Sequence, residues 1–305
     1  LVLPQVQQLI NGYQRADINL GAKKRARNQT KDLVTQAVIT AYSEAVKDYN
    51  QMETVRLVLE DQQHQMKARS AAKAVGLMAN FDYEKSKTKI KELEEKYKAT
   101  ESSYEGKVST LRSLLGESKE WQPELSSRAI ITDYERADLA LEISRGLSNA
   151  VPVWSAEAML DIENSTAKWI IPGLSSDMQS VNTGLAEADY EKAKRDSKAR
   201  IEQLYYWIDS LEGQIDAAEL TYETAKKDLE LGQIKYEVGM IALTSIAPGS
   251  ETLSSLRLQE EQTRLQLESL KADLASLKAQ FALFTGQTVY ESEDWNNPIV
   301  EEIEK

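Results

Sequence analysis

The sequence predicts an all-α protein: two tandem long antiparallel coiled-coil hairpins joined by a segment of short helices. Three observations predict it. Only six prolines and 13 glycines occur in 305 residues, so turns are few and helices long. Apolar residues recur at three- and four-residue steps over most of the chain, the period of a helix face and not of a strand. Landmarks also occur twice in one order. Val2-Leu3-Pro4 is echoed by Ile170-Ile171-Pro172, Ala74-Val75-Gly76-Leu77 by Glu237-Val238-Gly239-Met240, and Leu114-Leu115-Gly116 by Leu283-Phe284-Thr285-Gly286. The closing glycine lies one heptad further from the turn in the second copy, an insertion that keeps an apolar seam in phase.

The first repeat spans residues 1–116 with its turn at 75–77. From about Leu9 to Lys73 the pattern is helical, with Leu33, Ala37, Val38, Ala41, Ala45, Tyr49, Met52, Val55 and Leu59 on one face. After Gly76 it resumes through Ile90, Leu93, Tyr97, Tyr104, Val108, Leu111 and Leu115. Residues 117–171 form an equatorial segment of shorter helices, punctuated by Trp121-Gln122-Pro123 and Val151-Pro152-Val153-Trp154. One helix is expected at Asp133–Leu147, capped by Thr132 or Asp133. Trp121, Trp154 and Trp169 mark this belt as the thickest part of the molecule.

The second repeat spans residues 172–286 with its turn at 238–249. Its descending helix carries Ala186, Ile201, Leu204, Ile208, Leu211, Ile215, Ala218, Tyr222 and Ala225. Leu253, Leu256, Leu267, Leu270, Leu274, Leu277, Phe281 and Phe284 return on a and d steps, with Glu260 and Thr263 in the two intervening core slots. Polar residues there weaken the pair locally and set its register. At 1.5 Å per residue such arms are roughly 65–100 Å long, so a rod is expected. Residues 287–305, with Trp295-Asn296-Asn297-Pro298, read as an acidic irregular tail.

Composition excludes several functions. A net charge of −12 argues against nucleic acid; the short cluster Lys23-Lys24-Arg25-Ala26-Arg27 reads as a solvated helix face. The chain has no cysteine, so disulfides, thiolate metal sites and cysteine nucleophiles are absent. His64 is the only histidine and lies on a polar helical stretch without a second ligand, so no metal is expected. Acidic neighbours such as Glu94-Glu95 and Glu260-Glu261 point in different directions on a helix and make no acid/base dyad. No phosphate loop or nucleophile elbow is present, and neither catalytic residues nor a cofactor are expected. No run of 18 apolar residues provides a transmembrane helix. Leu1 in place of an initiating Met leaves room for a processed leader.

A duplicated helical hairpin with Val-Gly-Leu-type turns resembles the TolC family of bacterial outer-membrane efflux proteins. The first turn, Val75-Gly76-Leu77-Met78-Ala79-Asn80-Phe81-Asp82, is similar to that family's Val-Gly-Leu turn followed by Asp. The second, Tyr236-Glu237-Val238-Gly239, is similar to its Tyr-x-Val-Gly. The resemblance covers Pro4 to Gly286 and implies an α-barrel protomer, in which a homotrimer encloses a twelve-helix tunnel. It implies a passive exit duct in a tripartite efflux or secretion assembly of the cell envelope, periplasmic or outer-membrane-associated. A periplasmic adaptor (membrane fusion) protein and an inner-membrane pump would be its partners. Val75, Gly76, Leu77, Val238, Gly239 and Met240 would be the adaptor-docking tips. Asp82 and Tyr236 would join a gating network. Ile241 stands where the family has its gating arginine, which replaces an ionic lock by an apolar constriction. The family's membrane strands would fall near residues 5–30 and 173–195, yet these read as polar helix without the alternation that strands need. The alternative reading is a structural coiled-coil spacer or scaffold of the envelope with no conduit.

Overall fold

A computed structural model describes residues 4–121, 123, 125, 136–168, 175–245 and 250–287. Seven helices are present among them: α1 (Pro4–Asn28), α2 (Thr30–Ala74), α3 (Asn80–Leu115), α4 (Leu139–Asn149), α5 (Val151–Ala167), α6 (Ser176–Glu237) and α7 (Leu253–Thr285). No strand occurs among the described residues. The segments 5–28 and 176–195 are helical, as their polar helical pattern predicts. Several expectations lie outside the described residues: the landmarks Val2-Leu3 and Ile170-Ile171-Pro172, the caps Thr132 and Asp133, Trp169, residues 246–249 of the second turn and the tail after Gln287.

The chain divides into two compact units, and each draws on both repeats. One contains residues 37–131 and 209–276, the other residues 1–36, 132–208 and 277–305. In the first unit α2 and α3 are antiparallel: Lys107 Nζ donates to Glu44 at 2.7 Å, Ser103 Oγ to Asp48 at 2.6 Å, and the Tyr49 and Tyr104 rings lie 5.6 Å apart. The α6–α7 pair is joined by Lys271 and Glu219 at 2.7 Å. Between the repeats, α2 meets α7 through side-chain hydrogen bonds from Ser276 Oγ to Thr40 Oγ1 and from Asn50 Nδ2 to Ser269 Oγ, both 3.1 Å. The order of contacts in this unit is therefore α3, α2, α7, α6.

That order explains which residues are buried. The inner helices have neighbours on two sides, so α7 buries Leu267 and Leu274 on one face and Leu265 and Ala272 on another. The outer helix α3 has one partner and buries only Leu93, Val108 and Leu111. The a/d pattern names Leu253, Leu256, Leu267, Leu274 and Phe281 correctly, but Phe284, Leu33 and Leu115 are exposed.

In the other unit the short helices pack against the long ones. Gly21 of α1 makes room for Trp154 of α5; a Cβ there would lie 2.5 Å from the indole Cη2. Arg25 stacks over the same ring at 4.6 Å, and Arg15 pairs with Glu163 at 3.0 Å. Helix α4 runs from Leu139 to Asn149, not from Asp133 to Leu147 as expected. Asp138 is the residue that caps it, its carboxylate accepting from the Leu141 N–H at 2.9 Å. Gly146 of α4 lets Ile201 of α6 approach, since a Cβ would lie 2.2 Å from Ile201 Cδ1. Ile201, Leu204, Ile208 and Phe281 are the largest fully buried apolar side chains here. Glu142 is also fully buried. It accepts from the Ala137 N–H at 3.0 Å, Arg145 Nη1 at 3.1 Å and Gln287 Nε2 at 2.8 Å.

Candidate functional site: two helix tips

Both candidate tips are helix C-termini finished by one backbone device. At the end of α2, Gly76 N–H donates to Lys73 O at 3.1 Å and Leu77 N–H to Ala72 O at 2.8 Å. At the end of α6, Gly239 N–H donates to Tyr236 O at 3.0 Å and Met240 N–H to Lys235 O at 2.7 Å. These are Schellman motifs, which satisfy the last helical carbonyls through a left-handed residue. Gly76 and Gly239 supply it with φ of 75° and 77°. An L-residue adopts that conformation only with strain, whereas glycine has no Cβ to clash.

The motif turns the next side chains outward. Val75, Leu77 and Phe81 are 70, 76 and 77% exposed at the first tip, and Val238 and Met240 are 63 and 77% exposed at the second. Such apolar groups in water mark a contact surface more than a core. Phe81 and the exposed Leu243 were not singled out by sequence pattern. Their signal was proximity, since each follows its turn glycine within five residues.

The tips differ in how they close. The first is short: α3 begins at Asn80 and Ala79 offers no side-chain cap, while Lys73 Nζ lies 4.1 Å over the Tyr83 ring across the turn. The second is longer and fastened. Thr252 and Ser255 form a reciprocal capping box, each side-chain oxygen accepting the other's N–H at 3.1 Å. Leu253 N–H donates to Ala242 O and Ser254 N–H to Leu243 O, both at 3.1 Å, and Lys235 pairs with Glu251 at 2.8 Å.

The gating candidates occupy these tips without meeting. Asp82 lies exposed in the first turn of α3 and Tyr236 half-exposed in the last turn of α6. Among the described residues no hydrogen bond engages the Asp82 carboxylate or the Tyr236 hydroxyl. Ile241 turns back toward its own helix, with Cδ1 3.8 Å from where a Cβ on Gly232 would sit. Near the first tip a groove of about 770 Å³ between α2 and α3 is lined by Gln62, Arg69, Phe81, Glu84, Lys85 and Lys89 among others. Among the described residues there is no group of acidic, His or Cys side chains that could hold a metal ion, and no helix long and apolar enough to cross a membrane.

Solved structures share this fold. The outer membrane protein VceC of Vibrio cholerae matches with a TM-score of 0.56 and 14% identity, over 91% of this chain and 75% of that one. CusC, which forms a transmembrane channel, matches with a TM-score of 0.65 and 13% identity, over 94% of this chain and 90% of that one. The CmeC outer membrane channel of Campylobacter jejuni matches with a TM-score of 0.56 and 13% identity, over 93% and 69%. No protein-family model matches the sequence, and no curated protein matches it. At such identities the likeness is one of fold: the chain has the helical architecture found in TolC-like outer-membrane channels.

Proposed function

We propose that this chain is one subunit of a trimeric helical tunnel in the cell envelope, a passive exit duct that docks a periplasmic adaptor through its two tips. The observation that carries this reading is the pair of exposed apolar tips, each finished by the same left-handed glycine motif, on a fold shared with outer-membrane channels. In this reading Val75, Gly76, Leu77, Val238, Gly239 and Met240 are the docking residues. A left-handed glycine brings bare backbone to the surface beside two apolar knobs, a shape that a partner's hairpin can grip.

No step of the mechanism is covalent. An inner-membrane pump supplies the energy, and the mouth opens as hairpins shift between two packed arrangements. The groups Asp82 and Tyr236, which no hydrogen bond engages among the described residues, are available to a neighbouring copy. Ile241 would narrow the mouth by apolar contact where an arginine could not. The outer helices support assembly too, because Leu220, Leu231 and Ile234 of α6 are exposed apolar residues.

Sedimentation equilibrium of the full chain tests the assembly: a three-chain mass is expected, and a monomer at all concentrations refutes it. Gly76→Asp and Gly239→Asp should keep that mass and helical content while abolishing export in the host cell. Intact export in both variants would favour the spacer reading.

A further inference from the structure

Helices α1 and α6 carry one pattern that nothing in the packing of the described residues uses. Val6, Leu9, Gly12, Tyr13 and Ala16 recur as Met178, Val181, Gly184, Leu185 and Ala188, with identical spacing. Three- and four-residue steps put the apolar members on one stripe of each helix. Both stripes face water: Leu9 and Tyr13 are 74 and 75% exposed, and Met178, Val181 and Leu185 are 57, 58 and 61% exposed. The two glycines are also unexplained by the fold. A Cβ on Gly12 or Gly184 would meet nothing within 4 Å, although glycine inside a helix is unfavourable.

The two stripes are parallel and at heights that agree to within one helical turn. Helix α5 runs antiparallel to α1, with Glu163 at Arg15 and Trp154 at Gly21. It also meets α6, where Gln179 Nε2 donates to Thr166 O at 3.5 Å, and Thr166 Oγ1 reaches Asn11 of α1 at 3.3 Å. Asn11 and Gln179 are thus level through Thr166. Aligning the two patterns places Asn11 beside Thr183, one helical turn from that level. Copies related by rotation alone keep every residue at its own height, so the stripe on α1 of one copy meets the stripe on α6 of the next to within one helical turn.

We propose that α1 of one copy and α6 of the next pack along these stripes, as layers of Val6 on Met178, Leu9 on Val181, Tyr13 on Leu185 and Ala16 on Ala188. This rests on the reading of the chain as a subunit of a ring, and adds the surface that closes it. Gly12 and Gly184 sit level beside the seam and let the two backbones approach. Charge agrees. Between residues 5 and 16 the only charged side chain is Arg15, which pairs with Glu163 of its own chain, and between residues 178 and 188 it is Glu187, so neither stripe itself carries a charge. Charged residues are depleted at the centre of contact surfaces in this way. A head-to-tail contact of this kind, α1 to α6 and never α1 to α1, generates a closed ring when the rotation closes.

The absence of cysteine makes the test direct. Leu9→Cys and Val181→Cys are made separately and together in the full chain, then treated with a short bismaleimide. The double variant should run as covalent two- and three-copy species on a denaturing gel, and each single variant as one copy. A two-copy species from either single variant overturns the proposal, because it reports an α1–α1 or α6–α6 contact. A double variant that stays at one copy while sedimenting at three-chain mass overturns the seam and leaves the duct reading standing; sedimentation at one-chain mass overturns both. As a second measure, Leu9→Asp should reduce the mass to one chain with helical content unchanged, since the side chain is exposed within its own subunit. A Leu9→Asp protein that keeps the three-chain mass also overturns the seam.

Discussion

Four glycines in one compact unit separate the effect of backbone conformation from that of space. An added Cβ would meet nothing within 4 Å at Gly76, Gly239, Gly106 or Gly213. Gly106 and Gly213 lie inside α3 and α6, whereas Gly76 and Gly239 have φ near +75°. Alanine inside a helix is favoured over glycine by about 0.5–1 kcal/mol. Alanine in the left-handed region costs about 1–2 kcal/mol, partly offset by about 0.4–1 kcal/mol because it restricts the unfolded chain. Gly106→Ala and Gly213→Ala should therefore raise stability, while Gly76→Ala and Gly239→Ala should lower it by about 1 kcal/mol. Urea unfolding with constant slope reads the difference as a midpoint shift. Asn, which tolerates the left-handed region better, should recover part of the loss at position 76. If all four alanine variants moved the midpoint in one direction, φ would not be what selects glycine at the tips.

Three further outcomes are expected. Gly146→Ala places a Cβ against Ile201, which is 1% exposed and cannot withdraw; the loss should be about 1–3 kcal/mol, and Ile201→Val, which removes Cδ1, should restore part of it in the double variant by thermal unfolding. Glu142→Ala leaves the Ala137 and Gln287 donors without their buried acceptor, at about 1–3 kcal/mol each, and hydrogen–deuterium exchange should show residues 137–149 opening; unchanged protection would contradict this role of Glu142. Burial pushes the Tyr49 and Tyr104 hydroxyls above the ordinary tyrosine pKa, so the folded state holds these protons more tightly than the unfolded chain. Their contribution is full below about pH 10 and is lost as pH rises from there toward the folded values; Tyr49→Phe with Tyr104→Phe should flatten that alkaline loss in pH-dependent melting.

The repeat was legible because glycine at a helix C-terminus has a physical job. The landmark glycines of the sequence pattern, Gly76, Gly116, Gly239 and Gly286, are the glycines with positive φ among the described residues. Helix identity followed from period alone. Which helix lies inside did not. Ala272 and Ala275 lie off the leucine seam, yet both are buried because α7 has a second partner, α2, in the same compact unit. A seam pattern identifies one neighbour, and a helix with two neighbours buries small residues that carry little periodic signal. The start of α4 was misplaced for a local reason: several acidic and hydroxyl residues precede it, and only geometry shows that Asp138 accepts from Leu141. Val75 and Val238 were found by their glycines. A gate formed by Asp82 and Tyr236 could not be found within one chain, because no hydrogen bond engages either side chain among the described residues.

The extra heptad of the second repeat raises a question of register that the α2–α7 contact answers. An apolar seam alone could slide by seven residues and meet similar side chains again. Here the seam is interrupted by directional groups. Asn50, 1% exposed, donates to Leu265 O at 3.3 Å and to Ser269 Oγ at 3.1 Å, while Ser276 reaches Thr40 at 3.1 Å and Ser254 reaches Asp61 at 2.6 Å. A one-heptad slip would carry Asn50 away from Ser269 and leave a buried amide without its hydroxyl partner, at about 1–3 kcal/mol. The same slip would separate the other two pairs, so the three losses act together against a single displacement. Within the hairpins each turn also fixes how its two helices align, beside polar pairs such as Lys107–Glu44 and Lys271–Glu219. Polar specificity is thus placed at the seam between repeats, where no short turn connects the partners and only side chains can set their register.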